Sequence, residues 1–240
     1  MSWIRKWLHK DKELPVKEAP HAPGFGADES GGINFTCHPS MQYWCSRVFR
    51  GEYAVPHKKP DGTPPRILDI GANAGAFTVW AAHQWPGARI FAYEPSQIAY
   101  SGLVQNTLNY SGPTASIETF RLAVSTKEGP LKLYCGTQNQ GQASLHEDLK
   151  QTLDTYELVS TIHPKDLPEA DILKIDTEGC EVDILEALLH EGRKFDCIML
   201  EYHRESDRRR IDGMLSEYGL VGSAAEQPDR GVVKYMRRTE

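Results

Sequence analysis

Four carboxylates, Asp69, Glu94, Asp176 and Glu201, stand at or just after the carboxyl ends of short apolar runs, and His203 follows closely on the last. A single acid after a strand is usually a helix cap or a solvated turn. Four in register imply a crevice beyond the carboxyl ends of a parallel sheet, where open α/β sheets bind their ligands. The first run breaks at Gly71 in Asp69-Ile70-Gly71-Ala72-Asn73-Ala74-Gly75, where the chain must turn sharply and backbone must come close to something. Strand, glycine turn and a helix beginning near Phe77 make a nucleotide-binding corner. The spacing Gly71-x-x-x-Gly75 lacks the middle glycine of the G-x-G-x-x-G fingerprint, which lets backbone approach a pyrophosphate. Glu94, closing the run Ile90-Phe91-Ala92-Tyr93, suits the two hydroxyls of a ribose. Adenosine without pyrophosphate points to S-adenosylmethionine. Asp69 keeps a second reading, in which it only fixes the turn by accepting bonds from backbone amides.

Methyl transfer from a sulfonium relies on proximity and dehydration, with a base added when the acceptor is a hydroxyl. The candidates are His203, Asp176 and Glu178. Histidine has an unperturbed pKa near 6.5, suited to taking a proton near neutrality. Asp176 is as well placed to orient the acceptor or the methionine ammonium as to take a proton. Glu178 and Glu181 open a helix, where the macrodipole alone would stabilise their charge. Asp176, Glu201 and His203 could gather a divalent cation, but a dedicated metal-ligand spacing is missing and no metal is expected.

The ordered segments Asp69–Gly75, Glu94-Pro95 and Leu173-Lys174-Ile175-Asp176-Thr177-Glu178-Gly179-Cys180-Glu181 resemble the FkbM family of S-adenosylmethionine-dependent methyltransferases. Gly51-Glu52-Tyr53 and Glu201-Tyr202-His203 also fit its pattern, so the resemblance runs from about Gly51 to about His203. It implies a Rossmann-like class I methyltransferase fold: a mostly parallel seven-stranded sheet with an antiparallel C-terminal hairpin. It implies cofactor contacts from Asp69, Gly71, Ala72, Asn73, Gly75, Glu94, Pro95 and Asp176, with Ala123 beside the adenine. Tyr53, Glu201 and His203 would face the acceptor, and His203, Asp176 and Glu178 would carry the catalytic roles. The family methylates mainly hydroxyl oxygens of natural products and sugars, so the expected acceptor is a small-molecule or glycan hydroxyl. Lys174-Ile175-Asp176-Thr177 occupies the place of the Asn-Pro-Pro-Tyr type of tetrapeptide that often marks methylation of base amino groups. A methyltransferase fold used only for binding is the alternative. A nicotinamide-dependent oxidoreductase is a weaker one, because no Tyr-x-x-x-Lys pair occurs.

The rest of the chain must position these groups. Its 240 residues, 40% hydrophobic and 25% charged, suit one α/β domain with an N-terminal extension. A net charge of −6 argues against stable nucleic-acid binding. Five cysteines without a C-x-x-C pair favour a reducing, cytoplasmic setting. No stretch approaches the roughly 20 apolar residues of a membrane span. A homo-oligomer is left open. Residues 1–32 read as a flexible arm opening on a basic amphipathic segment with Trp3, Ile4, Trp7 and Leu8 on one side. That segment is expected to dock on its own domain or fray, with a membrane surface or partner groove as the other reading. Residues 33–65 read as a cap near the cofactor mouth, with a helix from Met41 to Phe49 burying Met41, Trp44, Cys45 and Val48. Residues 66–240 read as the cofactor-binding domain. Within it, Ser96 caps a helix to about Asn109 with Ile98, Ala99, Leu103 and Leu108 as its buried stripe. Further strands are expected over Ser116 to Leu122, Asp171 to Ile175 and Cys197 to Leu200, and helices over Cys180 to His190 and Arg204 to Tyr218. A hairpin around Leu131, an irregular polar loop from Gly136 to Ser144, and a closing pair of strands (Leu220 to Ala224 and Val232 to Met236) complete the reading.

Overall fold

A computed structural model describes residues 32–57, 59, 61–135, 143–145, 155–227 and 229–238. The amphipathic N-terminal segment and the run Gln138–Gln142 lie outside the described residues. In chain order, α1 (Gln42–Phe49) precedes β1 (Arg66–Ile70), α2 (Ala76–Gln84), β2 (Arg89–Tyr93), α3 (Gln97–Leu108) and β3 (Ser116–Phe120). Five short strands follow: β4 (Ala123–Val124), β5 (Leu131–Cys135), β6 (Ala143–Ser144), β7 (Thr155–Val159) and β8 (Thr161–Ile162). The chain ends with β9 (Ile172–Ile175), α4 (Glu181–His190), β10 (Cys197–Tyr202), α5 (Glu205–Met214), β11 (Tyr218–Gln227) and β12 (Arg230–Arg237).

The main sheet has seven strands in the order β11-β12-β10-β9-β1-β2-β3. Strands β1, β2, β3, β9 and β10 run parallel, and β12 lies antiparallel to both β10 and β11. This is the mostly parallel sheet with a C-terminal hairpin that the resemblance implies. Successive side chains point to opposite faces, so Ile67, Ile90 and Ile172 join one core and Leu68, Phe91, Leu173 and Ile198 the other. Helix α2 packs in the first core, and α4 and α5 in the second. The order reverses between β1 and β9, and the carboxyl ends there bring Gly71 and Asp176 together.

Helix α2 is buried from Ala76 through Ala82. A helix apolar on all sides needs cover on both, and the outer cover comes from Phe35, Met41, Cys45 and Val48. Residues 33–53 therefore share one core with the sheet. Asn106, buried on α3, anchors them: its Nδ2 donates to the Thr36 carbonyl (2.7 Å) and the Ala74 carbonyl (2.8 Å), and its Oδ1 accepts from the Thr36 N–H (3.0 Å). Asn106→Leu leaves these backbone groups unpaired, and chemical denaturation should register a loss of about 2–4 kcal/mol. A loss below about 0.5 kcal/mol would show that other contacts hold the segment.

Some elements differ from the sequence expectations. On α3 the buried positions are Ala99, Leu103 and Asn106, at i, i+4 and i+7, whereas Ile98 and Leu108 are exposed. The face is selected by contact with the glycine loop, not by apolarity alone. Trp44 is half-buried on the pocket side of α1. Strand β3 stops at Phe120, and Ala123-Val124 pairs with Thr161-Ile162 in a separate two-stranded sheet. Strand β5 pairs with β6 and with β7, a strand the sequence reading does not include. Strand β10 continues to Tyr202, α5 ends at Met214, and Tyr218 already lies in β11. No helix among the described residues is long and apolar enough to cross a membrane.

Candidate active site

The pocket opens beyond the carboxyl ends of β1, β2 and β9. Gly71, at φ +77°, turns the chain out of β1; a Cβ there would sit 1.7 Å from the Asp176 carbonyl oxygen. The close approach foreseen at Gly71 is thus chain against chain. Gly75 (φ +88°) begins α2, and a Cβ there would meet Leu103 Cδ1 at 2.8 Å. Asn73 and Glu178 are the non-glycine residues with positive φ (51° and 53°) among the described residues, and both line the pocket. Glu94 clamps the loop from the next strand. Its Oε2 accepts from the Asn73 N–H (2.8 Å) and its Oε1 from the Ser96 N–H (2.9 Å). Burial pushes its carboxyl up to about 7 against the pull of those two amides. A carboxylate has about four acceptor sites, so each oxygen keeps capacity for a hydroxyl from the pocket side. Ala72, Pro95 and Ala123 also line this half, with Leu122, Val124 and Leu133 as apolar walls.

The floor of the pocket is ionic. Asp69 and Lys174 are partners in the β1–β9 register, and Lys174 Nζ lies 3.2 Å from Asp69 Oδ1 and 3.6 Å from Asp176 Oδ2. The ammonium also donates to the Gly71 carbonyl (2.6 Å). Burial would lower the Lys174 pKa, but Asp69 and Asp176 raise it overall. Asp69 further accepts from Thr78 Oγ1 (2.5 Å), has no exposed surface and does not line the pocket. That corrects both expectations for Asp69: it holds Lys174 and Thr78, not cofactor and not backbone amides. Burial would raise the Asp176 carboxyl, but Lys174 and its other partners bring it down to about 2. Tyr53, expected at the mouth of the crevice, is buried; its hydroxyl donates to Asp176 Oδ2 (3.3 Å) and its ring meets Phe77 edge-on.

On the acceptor side, Glu178 and Glu201 line the pocket with Arg230. Arg230 donates to Glu201 Oε1 (3.1 Å) and Glu178 Oε1 (3.2 Å), and its guanidinium lies over the Trp44 ring. Glu201 faces Asp176, and burial first, then that charge, pushes its carboxyl up. His203 sits behind them: Nε2 is 3.1 Å from Glu178 Oε2 and 3.5 Å from Glu201 Oε2, and Nδ1 is 3.6 Å from Glu181 Oε2. Burial would lower its pKa, but these carboxylates raise it to about 11. This corrects the expectation that His203 is the base: the acids enclosing it favour its protonated form, and it does not line the pocket. The structure therefore gathers Gly71, Ala72, Asn73, Glu94, Pro95, Ala123, Asp176, Tyr53, Glu178 and Glu201 around one pocket and leaves Asp69, Gly75 and His203 behind its walls.

Lys174, Arg230 and Asn106 carry no role in the sequence reading. Lys174 had a signal, since a charge inside a buried strand must find partners. Arg230 and Asn106 act across long sequence separations and had none.

The sequence pattern described as the methyltransferase FkbM domain matches residues 69–221. The chain is 22% identical over 201 residues to the hexuronic acid methyltransferase AglP of Haloferax volcanii, covering 81% of this chain and 80% of that protein. It is 23% identical over 191 residues to the methyltransferase sdnD of Sordaria araneosa, covering 65% of this chain and 73% of that protein. Among solved structures, the fibrillarin/Nop5p complex contains a chain that matches with a TM-score of 0.51 at 12% identity, covering 83% of each chain. That likeness concerns the fold alone.

Proposed function

The chain belongs to the FkbM methyltransferase family, and from that premise we propose that it methylates a hydroxyl oxygen of a sugar or other small molecule, using S-adenosylmethionine. The observation that carries this reading is the pairing of a buried, inward-facing carboxylate, Glu94, with the positive-φ loop Gly71–Gly75 on one wall and Asp176 on the other. The cofactor supplies, when bound, a methyl group activated on sulfur. Glu94 would take the ribose hydroxyls, and Leu122, Ala123, Val124 and Leu133 would flank the base. Asp176 would accept the hydroxyl hydrogen of the acceptor, so that the proton has a carboxylate to pass to as that oxygen takes the methyl group. An oxygen that gains a methyl group becomes far more acidic than any carboxylic acid, so even a strongly acidic Asp176 suffices. Similarity to a hexuronic acid methyltransferase supports a sugar acid as the first acceptor class to screen.

Calorimetry with S-adenosylhomocysteine tests the cofactor half. Glu94→Ala should lose about 1.5–3 kcal/mol of binding, the scale of a charge-assisted hydrogen bond. The pH dependence has a definite sign. Ribose hydroxyls donate to the ionised form, so wild-type affinity should rise as pH passes upward through about 7, and this component should vanish in Glu94→Gln. The apo protein should do the reverse. The Glu94 pKa is raised on folding, so its stability contribution is present at acid pH and lost above about 7. Unchanged affinity in Glu94→Ala would remove the ribose assignment.

A further inference from the structure

We propose that Glu178, Glu201 and His203 form a divalent-cation site on the edge of the pocket. One carboxylate oxygen from each of Glu178 and Glu201 and a ring nitrogen of His203 all lie within 4.8 Å of one another. The two Nε2–oxygen distances are 3.1 and 3.5 Å. Donor atoms about 2.1 Å from a common centre stand about 3.0 Å apart at octahedral angles and about 3.4 Å apart at tetrahedral ones. The two nitrogen–oxygen spacings match those of ligands on one ion. Neither ring nitrogen of His203 has a hydrogen-bond partner among the described residues, although both are buried. An ion bound there would take the place of the imidazole's proton and face the same carboxylates.

The surroundings of the three groups point the same way. Each carboxylate gives its Oε1 to Arg230, with a longer contact from Arg230 to Glu178 Oε2 (3.4 Å), and Oε2 of each also faces the imidazole. Glu181 Oε2 stands 3.6 Å from His203 Nδ1, and Glu181 is itself fixed by the Thr177 and Gly179 N–H groups (2.7 and 3.1 Å to Oε1). A carboxylate that accepts from the second nitrogen is the usual support of a metal-binding histidine, and Glu181 is the carboxylate nearest that place. Ser144 Oγ donates to the Glu178 carbonyl (2.8 Å) and braces the loop that presents it. One nitrogen and two carboxylate oxygens suit Mn²⁺ or Zn²⁺ better than Mg²⁺ or Ca²⁺.

The existence of the site is independent of the methyltransferase reading, but its use rests on it: a cation there lies beside Asp176 and would polarise an acceptor hydroxyl. The test uses the full chain, stripped with EDTA and titrated with Mn²⁺ while the free-ion electron paramagnetic resonance signal is followed. One Mn²⁺ per chain should bind and raise the melting temperature. His203→Ala and Glu178→Gln should each weaken binding at least about tenfold and lose the thermal shift. A wild-type protein that leaves the free Mn²⁺ signal unchanged at millimolar concentrations overturns the proposal, as do both variants binding like wild type. S-adenosylhomocysteine calorimetry on the same samples keeps the two readings apart. Cofactor binding without Mn²⁺ binding rejects the cation site alone, and Mn²⁺ binding without cofactor binding rejects the proposed function and leaves the site standing.

Discussion

Lys174→Met is expected to destabilise the protein by about 3–5 kcal/mol, the cost of breaking a buried ion pair from one side. The lysine side chain is 4% exposed and that of Asp69 0%, so the pair has no water to fall back on. Methionine fits the space but removes the only cation within ion-pair distance of Asp69 among the described residues. It also strips the Gly71 carbonyl of its 2.6 Å donor and leaves Asp69 with the Thr78 hydroxyl alone. Asp69→Asn in the same background should recover much of the loss, because a buried pair replaced from both sides is often nearly neutral. Urea denaturation of the wild type, both single variants and the double variant closes a double-mutant cycle. A single-variant loss below about 1 kcal/mol, or no recovery in the double, would mean that Asp69 is reached by water and that the floor of the pocket is not ionic.

That experiment probes a part of the site the sequence displayed without explaining. The glycine corner and Glu94 were legible because a turn at the end of an apolar run is a local pattern, carried within a few residues. Lys174 stood in view inside Leu173-Lys174-Ile175, but its partner is chosen by the β1–β9 register, which pairs Asp69 with Lys174 across the sheet. The stripe on α3 was misplaced because its period admits two faces, and the contact of Asn106 with Thr36 and Ala74 selects between them. His203 misled for a similar reason. Read alone it is a free imidazole after a strand, yet the loop before α4, the start of α4 and the end of β10 each bring a carboxylate to it. Arg230 answers to Glu178 and Glu201 from the start of β12, the hairpin strand paired with β10.

Asp176→Asn is expected to cut turnover by about 10²–10⁴ while S-adenosylhomocysteine affinity stays within about threefold. Asparagine keeps the shape and can still accept the Tyr53 hydroxyl, now 3.3 Å from Asp176 Oδ2, so the pocket should stay formed. What it loses is the negative charge that Lys174 and Tyr53 hold in place between the glycine loop and Glu201. An acceptor hydroxyl beside that charge is oriented for attack and has somewhere to send its proton as the new carbon–oxygen bond forms. The split between turnover and affinity is the discriminating measurement, made with a sugar-acid acceptor found by labelled-methyl screening. If affinity for the cofactor falls and turnover at saturation survives, Asp176 holds the methionine ammonium instead. If neither changes, the proton leaves by another route, and Glu178, on the same loop and facing the same pocket, becomes the residue to replace.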